Sequence, residues 1–136
     1  METRDFNMTQ WRGETIGSVN EQSSAEERFQ NQTLRPILKL QNDLFIEVFS
    51  NHISKHKNDF YSLTVDKKLQ FIENAIQKDI KFRNALKGMV IGLFTLDEYT
   101  LYIRNSSSLN KRMMNMLMER LKSQVQLFEA VLNNQA

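Results

Sequence analysis

Apolar side chains recur at helical spacing along most of the chain. Leu34, Ile37, Leu38, Leu44, Phe45, Val48, Phe49, His52 and Ile53 fall on one broad face, which predicts a helix over roughly 34–56. Pro36 suits its first turn if Thr33 is the cap, because the missing N–H costs nothing there. A shorter helix precedes it, opened by the capping-box pattern Ser24-Ala-Glu-Glu27 and ending near Gln32. Val65, Leu69, Ile72, Ile76 and Ile80 form a second stripe, and Phe82, Leu86, Met89 and Leu93 a third. A helix over all of 64–94 would outrun a small domain, and Asp79 is a good N-cap, so a break is expected near Lys78-Asp79. Thr95-Leu-Asp-Glu98 is another capping box and starts a short helix through Tyr99, Tyr102 and Ile103. A last helix, capped by Ser108, carries Leu109, Met113, Met116, Leu117, Leu121, Val125, Phe128 and Leu132 to about Asn133.

No segment alternates with period two for more than a few residues, so strands are not required. The expected fold is all-α, a compact bundle of five or six helices with antiparallel neighbours. Residues 1–22 scatter Phe6, Trp11, Ile16 and Val19 at no sustained period, which predicts a loose N-terminal arm docking through Trp11. The helical-bundle domain is expected over 23–133.

Composition narrows the chemistry. With 136 residues the chain can bury a sizeable core unaided, and the lack of cysteine excludes disulfides, thiolate zinc sites and cysteine nucleophiles. The formal charge of +2 is too small to announce nucleic acid by itself. Its distribution is uneven: residues 1–33 carry −3 and the remainder +5. The first residues hold no apolar core of a signal peptide, and the longest apolar run, Gly88 to Phe94, is too short to span a bilayer. The expectation is a cytoplasmic protein without membrane contact.

Four features carry candidate chemistry. His52 and His56 are the chain's two histidines and sit at i, i+4, a spacing used by helical metal sites. Glu47 and Asp59, the nearest acids in sequence, are not fixed on the same turn, so the structural reading is preferred and no cofactor is implied. Lys78, Lys81, Arg83 and Lys87 make a basic row with Phe82 among them, either a solvated face or a phosphate-tracking groove with a stacking ring. In Arg112-Met-Met-Asn-Met-Leu-Met-Glu-Arg120, Met113, Met116 and Leu117 point with the core stripe. Met114 and Met118 form an adjacent row, flanked by Arg112 and Arg120, that suits either an adaptable docking surface or the filling of an irregular core by a face that several helices wrap. Gln41, Asp79 and Asn110 fall on apolar faces and are candidates for a buried polar cluster, with Arg83 or Arg35 as partner for Asp79. Gly88-Met-Val-Ile-Gly92 has the small-x-x-x-small spacing that lets another helix approach closely. No nucleophile-elbow, P-loop or dinucleotide-binding pattern occurs.

The stretches Glu27–Phe45, Asp79–Met89 and Asn105–Asn115, within a match that covers most of residues 24–128, resemble a small bacterial family that carries the label glyoxalase. That resemblance implies a small-molecule or metal-dependent enzyme. The pattern supplies neither the strands nor the His and Glu ligand set of glyoxalase I modules. The expectation is therefore a non-enzymatic bundle acting on a protein partner or on a second copy of itself. The site would be the Met114/Met118 row or the basic 78–87 helix. The alternatives are the enzyme, with His52, His56 and a carboxylate at a cleft, and RNA or ribosome binding through Lys81 and Arg83.

Overall fold

The computed structural model describes residues 2–56 and 59–128. It is all-α, 80% helical, with seven helices and no strand among the described residues. These are α1 (Glu2–Arg12), α2 (25–40), α3 (Asn42–Lys55), α4 (Val65–Lys78), α5 (Ile80–Ile91), α6 (Leu96–Arg104) and α7 (Ser106–Ser123). Short 3-10 turns at Phe60–Ser62 and Val125–Leu127 complete them.

Of residues 1–22, expected as a loose arm, Glu2–Arg12 form a helix tied down at both ends, and no helix follows until residue 25. Trp11 does not dock it, being 63% exposed. The Arg4 guanidinium donates to the carbonyls of Phe94 and Gly92 at 2.8 and 2.9 Å, and Arg12 pairs with Glu98 and donates to Leu93 O. Those carbonyls belong to the turn after α5, where intrahelical donors have run out, so the two arginines complete that helix end. An arm held by polar anchors leaves no apolar period to read.

A second correction concerns residues 25–40. The sequence suggests a stop before Pro36, yet the helix continues through a π-helical segment, Gln30–Leu34. Proline removes one donor, and the backbone widens so that Arg35 N–H reaches Gln30 O. Thr33 is therefore not a cap; it is buried and gives its hydroxyl to Glu98. The anticipated 34–56 helix is interrupted only at Gln41 (φ −89°, ψ 2°). Hydrogen bonds run across that residue from Gln41 N to Ile37 O and from Phe45 N to Gln41 O, both 2.9 Å.

The break near Lys78-Asp79 is present. Asp79 adopts an extended conformation and its Oδ1 accepts from Phe82 N–H at 3.2 Å, opening α5. Ile80, expected in a core stripe, lies beyond this corner and is 68% exposed, while Leu44 on α3 is 46% exposed. The last helix starts at Ser106, before the expected Ser108, because Ser108 instead donates to Glu26. Its α-helical run stops at Ser123; Leu132 and Asn133 lie outside the described residues.

α4, α5 and α7 pack together, and the core gathers around Phe45, Phe49, Ile72, Leu86, Met113 and Leu117, each fully buried. Gly88 is exposed, and a Cβ built on it would meet nothing within 4 Å. Among the described residues no helix approaches at that glycine, so the small-x-x-x-small spacing is not a packing device there.

Candidate functional site

α7 crosses the α4–α5 corner, and the space between the three helices is a cleft of about 430 Å³. Met114 and Met118 floor it, with Ile76 beside them. They are 7% and 6% exposed, which fits the core-packing alternative for this stretch rather than an open surface row. The reason is helix geometry: α4 and α5 both lie against α7, so more than one face of that helix is covered. Gln77 Nε2 points at the Met118 sulfur, 3.9 Å away. Arg83 and Lys111 stand on the walls with Asn110 and Asn115, and no acidic residue lines the cleft among the described residues. The structure thus brings Met114, Met118, Arg83 and Asn110 into one place.

The other expected site residues are elsewhere. Arg112 is spent inside the fold: it pairs with Glu26 at 3.2 Å and donates to Gln30 Oε1 at 2.8 Å. Hydrogen bonds from Ser108 and Asn105 hold the Glu26 carboxyl below its ordinary value, which suits that pairing. Arg120 faces a different hollow, of about 620 Å³, which Arg35 also lines. Burial lowers the Arg120 pKa, and its guanidinium donates to Asn42 Oδ1 at 3.4 Å. Among the described residues, Lys78, Lys81, Arg83 and Lys87 form no ion pair. Phe82 is half-buried and stacked on His52, with centroids 3.8 Å apart and planes at 13°, so no stacking ring stands open within the basic row.

The buried polar trio is not a cluster. Gln41 donates to Met89 O at 3.3 Å, Asn110 accepts from the Tyr102 hydroxyl at 2.6 Å, and Asp79 caps α5. Asp79 forms no ion pair with Arg83 or Arg35. It stands instead beside His52 and His56, on a smaller hollow of about 360 Å³. Sequence spacing could not show this, because the carboxylate arrives from a distant helix corner.

Two features escaped the sequence reading. Leu96, Tyr99 and Ile103 of α6 form an outward apolar stripe, 44%, 47% and 55% exposed; their 3- and 4-residue spacing was the available signal. Phe29, Leu101 and Leu109 line a further hollow of about 530 Å³ with Arg28 and Arg104 at its edge. No helix among the described residues is long and apolar enough to cross a membrane. The chain matches no protein-family model, no curated protein and no solved structure, so the chemistry has to be read from these residues alone.

Proposed function

We propose that this protein is a non-enzymatic binding module that captures a segment of a protein partner in the cleft between α4, α5 and α7. The segment presents an acidic side chain next to an apolar one. One observation carries the reading: Arg83 and Lys111 rise over a methionine floor with no carboxylate among the described residues of the lining to neutralise them. A thioether floor adapts to different apolar side chains, while the two cations favour an acidic segment and repel basic ones. Lys81 and Lys87 on the same helix, which form no ion pair among the described residues, extend the positive field that would steer such a partner.

The test is a photocrosslinking residue in place of the exposed Asn115 at the cleft rim, introduced into the full chain in its own cells. The expected product is a defined protein adduct whose crosslinked peptide contains Asp or Glu, lost when Arg83→Glu and Lys111→Glu are combined. An RNA adduct with the same charge dependence would instead support the nucleic-acid reading, and an unchanged pattern of adducts in the charge-reversed variant would refute both. The enzyme reading, implied by the family resemblance, has a specific observation of its own in the meeting of His52, His56 and Asp79.

A further inference from the structure

We infer that His52, His56 and Asp79 form a three-ligand site for a divalent first-row transition ion, with zinc the first ion to test. One donor atom from each residue can be chosen so that all lie within 4.8 Å of one another. Two imidazoles and a carboxylate suit zinc and its neighbours, whereas magnesium and calcium prefer sets made wholly of oxygen.

The surroundings prepare the donors. His52 Nε2 is buried and has no hydrogen-bond partner, an arrangement that costs free energy unless something fills it. His56 Nδ1 lies 3.0 Å from His52 O. A carbonyl can only accept, so Nδ1 carries the hydrogen, which leaves Nε2 as the nitrogen able to ligate. Metal-binding histidines are commonly oriented in this way. Stacking on Phe82 at 3.8 Å holds the His52 ring, and Phe71 meets His56 edge-on at 5.7 Å. Asp79 uses Oδ1 to cap α5, which fixes its carboxylate and leaves Oδ2 for an ion. The hollow in front of the three is wide enough for water to complete the coordination. Lys78 on its wall and Lys55 beside His56 oppose a cation and set the affinity below that of a more anionic site.

The site is separate from the methionine cleft, and the inference does not depend on the binding-module reading. Its test is calorimetric titration of the chelator-stripped full chain with zinc chloride, in the presence of excess magnesium. The expected result is one ion per chain, a raised melting temperature on loading, and uptake unchanged by Lys111→Glu. His56→Ala and Asp79→Asn should each weaken uptake by more than about tenfold, a loss at least as large as that from outer-sphere partners. Both variants keep the metal-free fold, since His56 is exposed and asparagine caps a helix as well as aspartate does. No saturable uptake, displacement by magnesium, or equal uptake by wild type and both variants would overturn it.

Discussion

Arg12, at the end of the first helix, places its guanidinium on the Glu98 carboxylate, and the arginine side chain is only 3% exposed. Glu98 does more than pair. Its Oε1 accepts the Thr95 N–H at 2.8 Å and closes a capping box, while Oε2 takes Arg12 and, at 2.7 Å, the Thr33 hydroxyl. One carboxylate therefore joins α1, the π-helical segment of α2 and the start of α6. Replacing it as Glu98→Gln leaves a buried guanidinium without counter-charge. The expected loss is about 3–5 kcal/mol of unfolding free energy, read from urea unfolding at pH 7. Arg12→Met should cost less, because Glu98 keeps its Thr33 and Thr95 donors.

The same carboxylate sets an acid sensitivity. Burial pushes the Glu98 pKa up, but hydrogen bonds from Arg12, Thr33 and Thr95, with the Arg12 charge, outweigh it and bring it below the usual value of 4.5. The folded state thus holds the proton less tightly than the unfolded chain. The contribution is complete above the unfolded value and disappears as pH falls through the lowered folded one. Urea unfolding followed from pH 7 to pH 3 should show this loss in the wild type. The slope should be shallower in Glu98→Gln.

These two contacts mark the boundary of what could be read from the chain. The helices over 34–56, 65–78 and 80–91 are legible because Phe45, Phe49, Ile72, Ile76, Leu86 and Val90 repeat with the helix period and are buried accordingly. The Thr95–Glu98 capping box is legible for the same reason, being local. α1 was not, since Arg4 and Arg12 hold it through side chain to backbone bonds spanning more than eighty residues. The candidate sites divide in the same way. Met114 and Met118 were singled out as adaptable, but their burial follows from how α4 and α5 lie on α7. The pair His52 and His56 was visible as a spacing, while Asp79 as their third partner depends on where a distant corner falls.

Two glycines should respond in opposite directions to alanine. Gly88 lies within α5 at ordinary φ, with open space where a Cβ would stand. Alanine there removes backbone freedom from the unfolded chain at no steric cost, and a gain of about 0.5–1 kcal/mol is expected. Gly17 has φ +97°, and its added Cβ would come within 3.0–3.1 Å of the Asn31 amide group. That amide donates to Ser18 O at 3.0 Å, so Gly17→Ala strains the backbone and disturbs the loop that seats on α2. Paired thermal melts of the two variants should move apart, upward for Gly88→Ala and downward for Gly17→Ala.

The methionines of α7 supply a graded test of the core. Met113 is fully buried, so Met113→Ala should cost about 2–5 kcal/mol, the range for emptying a large core position. Met114, 7% exposed, lies on the cleft, where water can enter the space that its truncation opens. Met114→Ala should therefore cost clearly less than Met113→Ala. The double change Met114→Gln, Met118→Gln would be harmless on an open surface. Here it brings two amides onto a largely buried floor with few partners, and a lowered denaturation midpoint is expected. Equal midpoints for this double variant and the wild type would mean that α7 turns these side chains outward, contrary to the packing described.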